Sequence, residues 1–290
     1  MCASCGIAPV DDIKLKICDG CDLVKYCSDA CRENHREQHE EVCKKRKAEL
    51  HDRELFEQPE ETCFGECPIC FLPLPLDERK YTFYSCCCKW MCDGCSYADA
   101  ISNGGDRCPF CREPVVKGEE EHCKRIMERV KVNDPNALRQ MGWRCYGDGD
   151  YDKGVKYLNK AAELGDTRAH YLLGFMYCQG EVVEKDWERG ISHWEKAAIG
   201  GDPDSRYNLG MIEEKNNGNI ERAVKHWIIA ANLGYEDSMK MLWKHYSCGH
   251  ITKEELESTL RTHKAAIDAT KSVDRDAAEI YERLNAAASR

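Results

Sequence analysis

Apolar and small residues fall into a repeating order through the C-terminal half of the chain. ALRQMGWRCYG from Ala137, AHYLLGFMYCQG from Ala169 and SRYNLGMIEEKNNG from Ser205 are each followed by a second helical segment that ends in an Ala pair and then Gly. Gly142 to Gly174 is 32 residues and Gly174 to Gly210 is 36, while the Ala pairs starting at Ala161, Ala197 and Ala230 recur at 36 and 33. Periods of this size mark stacked helix pairs, in which small residues at fixed positions let the two helices approach closely. Leu158, Trp194 and Trp227 share one register of the second helix and are expected to be packing residues rather than a ligand stripe. A weaker fourth copy begins near Ser238 and ends in HKAAIDATKS, and the tail DRDAAEIYERLNA reads as a capping helix.

The N-terminal half is patterned differently. Helical spacing runs through CRENHREQHEEVC, where His39 and Cys43 stand one turn apart, and through a charged segment from Lys44 to about Gln58. By the same arithmetic Cys31, His35, His39 and Cys43 are each four apart, which makes His35 a substitute ligand candidate. Of 21 cysteines, 18 lie at or before Cys123, and only Cys145, Cys178 and Cys248 follow. The first half therefore needs metal or disulfides and the second does not.

The start MCASCGIAPVDDIK has neither a basic region nor an apolar stretch of about 7 residues, so the expectation is a reducing, intracellular location, cytoplasmic or nuclear. No window approaches the roughly 18 apolar residues that span a bilayer, and mean hydropathy is -0.65; a membrane partner is not expected. Net charge is -10, from 42 basic and 52 acidic side chains. That balance disfavours a phosphate backbone, so nucleic acid is not expected either. KKRK at Lys44 to Lys47 is the one dense basic run and reads as a solvated helix face.

In residues 1–48 the spacing is Cys2-x2-Cys5, Cys18-x2-Cys21, Cys27-x3-Cys31 and His39-x3-Cys43. Eight ligands in four pairs suit two tetrahedral zinc ions, and so short a module buries too little apolar surface to fold without them. The set, with YCS-x2-C at Tyr26 to Cys31, resembles the MYND finger. The interleaved pairing of that family implies one zinc on Cys2, Cys5, Cys27 and Cys31 and another on Cys18, Cys21, His39 and Cys43. Members that grip proline-rich peptides carry Gln and Trp where this chain has Arg32 and Arg36, a departure that weakens any inherited peptide preference. No SET-like block accompanies the finger.

Residues 63–116 hold a second set: CPIC at Cys67 to Cys70, CCCKWMCDGC from Cys86, and CPFC at Cys108 to Cys111. The order resembles a RING finger with cysteine replacing the usual histidine. Cross-brace logic implies one zinc on Cys67, Cys70, Cys92 and Cys95, and a second on Cys108, Cys111 and two of Cys86, Cys87 and Cys88. The spacing of cysteine-only relatives points to Cys86 and Cys87. Cys63 and Cys123 fall outside the frame as free thiols. The resemblance gives Ile69 and Pro109 as contacts for a ubiquitin-conjugating enzyme and Arg112 as a cation that stiffens the thioester. Where an aromatic is expected on the following helix, CSYADAI offers Tyr97 and Ile101.

The repeats resemble Sel1-like repeats, a tetratricopeptide relative, with the hallmark in EVVEKDWERGISHWEKAAIGGD from Glu181 to Asp202. The expected fold is mostly α: two zinc-held modules, then an α/α solenoid. The expected division is a MYND-like finger at 1–48, a charged helical linker at 49–62, a RING-like finger at 63–116, a linker helix at 117–133, and the array with its capping helix at 134–290. No P-loop, hydrolase elbow, dinucleotide fingerprint or covalent catalytic residue is legible. The expected function is an intracellular adaptor carrying four zinc ions and joining proteins. The alternative is a RING-type ubiquitin ligase whose repeats select the substrate.

Overall fold

The computed structural model describes residues 1–6, 8, 15–180 and 185–288. Residues 9–14 of the opening stretch and 181–184 of the Sel1-like hallmark lie outside the described residues. The chain forms two compact units, residues 1–57 and residues 58–290. It is mostly helical, with thirteen α-helices among the described residues, none of them long and apolar enough to cross a membrane.

In the first unit, β1 (Lys16–Ile17) pairs antiparallel with β2 (Lys25–Tyr26), followed by α1 (Asp29–Asn34) and α2 (Arg36–Leu55). Neither Gly nor Pro interrupts the Glu-, Lys- and Arg-rich run from Arg36 to Leu55, and pairs such as Glu40–Lys44 at 2.8 Å support it. The helix that carries His39 and Cys43 therefore continues unbroken through KKRK and the first half of the expected linker at 49–62.

The second unit opens with a hairpin of β3 (Tyr81–Tyr84) and β4 (Lys89–Cys92), in the register Tyr81↔Cys92 to Tyr84↔Lys89. Then come α3 (Asp93–Asn103), closed by Gly104 at φ 87°, and α4 (Glu119–Lys131). The array pairs α5 (Pro135–Gly147) with α6 (Tyr151–Glu163), α7 (Thr167–Gln179) with α8 (Trp187–Ile199), and α9 (Pro203–Lys215) with α10 (Ile220–Asn232). The chain ends with α11 (Glu236–Ser247), α12 (Lys253–Ala269) and α13 (Val273–Ala288). Side chains of Asp134, Asp166 and Asp202 cap the first helices, and those of Asp150, Asp186 and Asn219 cap the second.

The repeated glycines show why the pairs pack closely. A Cβ on Gly142 would meet Leu158 at 2.7 Å, one on Gly174 would meet Trp194 at 2.4 Å, and one on Gly210 would meet Trp227 at 2.5 Å. Each large side chain of a second helix thus fills the space a first-helix side chain gives up. In the fourth copy that register holds Trp243, half exposed. There α12 packs more on α10 than on α11, consistent with the bulk of Trp243 blocking the close approach. The tail helix also departs from expectation: α13 packs on α3 of the second finger rather than capping the array.

Candidate metal centres

The hairpin and α1 of the first unit place its thiols. Ser28 caps α1 by accepting from the Cys31 amide at 3.2 Å, which sets Cys31 one turn from Cys27, with 3.6 Å between the sulfurs. Cys5 Sγ lies 3.6 Å from Cys27 Sγ. At the other end of the hairpin Cys18 Sγ is 3.7 Å from Cys43 Sγ, and Cys21 Sγ is 3.1 Å from His39 Nε2. Two groups result, Cys2–Cys5–Cys27–Cys31 and Cys18–Cys21–His39–Cys43, each with its donor atoms within 4.8 Å of one another.

His35 joins neither group. It is the junction between α1 and α2, with φ -99° and ψ -1°, and its Nδ1 meets the Tyr26 hydroxyl at 3.0 Å. The four-apart arithmetic assumed one continuous helix; the break at His35 sends Cys31 to one group and His39 with Cys43 to the other. Arg32 and Arg36 pair with Asp19 and Glu33 on the wall of a hollow of about 430 Å³.

The second finger is built on two like knuckles. After Cys67–Cys70, Phe71 stands at φ 56° and its amide returns to the Cys67 carbonyl; after Cys108–Cys111, Arg112 does the same at φ 63° to the Cys108 carbonyl. The structure gathers Cys67, Cys70, Cys92 and Cys95 in one group and Cys86, Cys87, Cys108 and Cys111 in another. Sulfur separations are 3.8 Å for Cys70–Cys92, 3.8 Å for Cys87–Cys108 and 3.3 Å for Cys86–Cys111. Cys88, at φ 52°, turns away to pack with Ile126, Ala137 and Met141. Cys63 donates to Asp202 at 3.4 Å, and Cys123 rests 4.0 Å from Met141 Sδ.

These donor sets fit zinc. Thiolates at about 2.3 Å from a tetrahedral ion stand about 3.8 Å apart, whereas a disulfide needs about 2 Å. All the cysteines are unbridged. Thiol acidities within each set are split: hydrogen bonding from the Cys5 backbone brings Cys2 down to about 6, while side-chain hydrogen bonding with Cys31 pushes Cys27 up to about 12. Hydrogen bonding with Cys92 likewise brings Cys67 down to about 4, and burial pushes Cys95 up to about 12. Four clustered thiols cannot all ionise unless a cation balances them.

Around the second finger, Ile69 is 37% exposed, Phe71 and Phe110 are exposed, and Pro109 is half-buried. Arg112 is engaged within the chain, its Nη1 2.5 Å from Oδ1 of the buried Asp99 on α3. Tyr97 instead faces Tyr281 of α13, with ring centroids 5.0 Å apart, and Ile101 is exposed. The α3 side chain brought to the second knuckle is thus Asp99, which the spacing had not singled out.

An ionic cluster centred on the buried Asp202 joins the finger to the array. Arg168 on α7 meets Asp202 at 2.8 Å, Asp204 at 2.7 Å and Glu78 at 2.9 Å, with its guanidinium over the Phe64 ring at 4.8 Å. The Tyr235 hydroxyl donates to Asp204 at 3.0 Å. No motif announced this cluster, because its members come from distant segments.

Residues 2–43 match the MYND finger, and residues 135–166, 167–202 and 203–235 each match the Sel1 repeat. No curated protein matches the chain. Among solved structures it is similar to a Sel1 repeat protein from Oxalobacter formigenes, at 25% identity over 59% of this chain and 70% of that one, with a TM-score of 0.46. It is also similar to a protective antigen of uropathogenic Escherichia coli strains displaying an SLR fold, at 24% identity over 49% of this chain, with a TM-score of 0.43; the match spans 33% of that antigen's length. An immunity protein from Pseudomonas aeruginosa shares 19% identity over 63% of this chain and 68% of its own, with a TM-score of 0.39.

Proposed function

Taking the chain as one that carries a MYND finger and three Sel1 repeats, we propose that it is a zinc-dependent adaptor that holds other proteins together. The observation that carries this reading is the completeness of the four donor sets. Each supplies four protein ligands. A catalytic zinc keeps one position for water or substrate, whereas a closed tetrahedral site holds structure. Zinc would therefore fix the two fingers, with no part in chemistry, and binding would fall to the fingers and to the repeat surface. Cys2, Cys5, Cys27 and Cys31; Cys18, Cys21, His39 and Cys43; Cys67, Cys70, Cys92 and Cys95; and Cys86, Cys87, Cys108 and Cys111 are the proposed ligands. Metal analysis of the purified protein should give four zinc ions per chain, and a ratio near two would remove one finger from the proposal.

A second reading, a RING-type ubiquitin ligase, draws support from the exposure of Ile69, Phe71 and Phe110 on the two knuckles. Such an enzyme works by orienting a charged conjugating enzyme, so an apolar contact surface is the main requirement. The pairing of Arg112 with Asp99 weighs against it, since the cation must leave its partner to reach ubiquitin. Discharge of ubiquitin from a panel of charged conjugating enzymes decides between the two. Suppression of discharge by both Ile69→Ala and Arg112→Ala would replace the adaptor with the ligase; no discharge from any enzyme by zinc-loaded protein would leave the adaptor.

A further inference from the structure

One side chain ties the last helix to the second finger. Arg275, in the first turn of α13, donates through Nη1 to the carbonyls of Pro73 at 2.7 Å and Thr270 at 2.6 Å. Through Nη2 it donates to the Leu72 carbonyl at 3.2 Å and to Cys70 Sγ at 3.5 Å. Leu72 and Pro73 are the exit of the first knuckle, so a single guanidinium holds that exit and one of the knuckle's sulfurs together. The helices touch closely here: a Cβ on Gly94 of α3 would lie 2.7 Å from the Arg275 backbone nitrogen and 2.9 Å from its Cα. Farther along, Tyr97 meets Tyr281, and Lys80 pairs with Glu279 at 3.0 Å.

Four thiolates around Zn²⁺ carry a net charge of about -2. A half-buried cation donating to one of them offsets part of that charge and fixes the ligand's orientation; such outer-shell partners typically account for about 10–100-fold in metal affinity. On the zinc reading of this donor set, we propose that Arg275 is the outer-shell partner of the Cys67–Cys70–Cys92–Cys95 site, and that metal occupancy there and docking of α13 form one linked equilibrium. Linkage is reciprocal: the factor by which zinc favours docking is the factor by which docking favours zinc. α13 thereby becomes a reporter of the metal state of the finger.

The test uses the full zinc-loaded chain as wild type, Arg275→Ala, Arg275→Lys and Gly94→Ala, with Cys67→Ser to identify the ion concerned. Zinc release to a chromogenic chelator and hydrogen exchange of the α13 amides are measured on each. In Arg275→Ala, the ion absent from Cys67→Ser should leave about 10-fold faster or more while the others keep their rates. Gly94→Ala, which keeps the guanidinium and all four thiols but crowds the Arg275 backbone where α13 meets α3, should do the same. Arg275→Lys keeps the charge but loses the fork and should fall between. Both displaced variants, and wild type stripped of that ion, should lose α13 protection. Unchanged release in both variants with the full zinc complement bound, or unchanged α13 protection on stripping, would overturn the linkage alone. An unchanged zinc count in Cys67→Ser would overturn the zinc reading of this site as well.

Discussion

The two fingers use the same interleaved arrangement of donors in opposite settings. In the first, the buried side chains among the described residues of the finger proper are Cys2, Cys21, Tyr26 and His39, three of them members of the donor sets. In the second, Leu74, Tyr81 and Met91 form a core with Cys67, Cys92 and Cys108, and Phe64 and Trp90 pack against it. Arg139 and Arg168 of the array then reach over Trp90 and Phe64. Among the described residues the donor side chains make up most of what the first finger buries, whereas in the second they join a core that the repeats help to cover. A shared ligand pattern therefore does not imply shared dependence on metal.

The largest test of that contrast is metal removal. Chelation should cost the first finger its whole fold, since structural zinc contributes on the order of 10 kcal/mol in such modules. Residues 15–55 should exchange their amides freely while α5 to α10 stay protected; retained protection in the first finger would break the comparison. Next comes Arg168→Ala, which takes the cation from the buried Asp202 and the half-buried Asp204 and should destabilise the second unit by about 3 kcal/mol in urea unfolding. The first unit should be untouched. Gly174→Ala should cost about 1–3 kcal/mol through overpacking against Trp194, again without change in the first finger's zinc content.

A last effect concerns pH. Burial brings His193 down to about 4 and His226 down to about 3. The unfolded chain then binds more protons than the folded one below the ordinary histidine value. The stability these groups contribute is present above about pH 6.5 and is lost as pH falls toward 4. Thermal unfolding of the array at pH 7 and pH 5 should show the lower midpoint at pH 5.

The repeats were legible because their small residues recur at fixed register, and close packing permits little else there. Gly142, Gly174 and Gly210, and separately Leu158, Trp194 and Trp227, stood out at fixed registers in the sequence; that each glycine faces one of the large side chains is seen only in the fold. His35 stood as a substitute candidate because spacing alone does not reveal the helix junction on which it sits. Spacing left Cys86, Cys87 and Cys88 close in rank; what separates them is the left-handed turn at Cys88, which aims its thiol at α4 and α5. The roles of Arg112, Arg168 and Arg275 were out of reach, since each depends on a partner brought near only by the folded chain. Asp99, Asp202 and Cys70 carry no local mark of these pairings.

The ionic cluster around Arg168 has a practical consequence for anyone dividing the protein. A cut before residue 134, where the repeats begin by sequence, would remove Glu78, Phe64 and Cys63 and lay open carboxylates that are otherwise enclosed. The chain offers a cleaner seam between residues 57 and 58. Repeats expressed without the second finger would be a damaged piece, and failure of that piece to bind a partner would say little about the intact array.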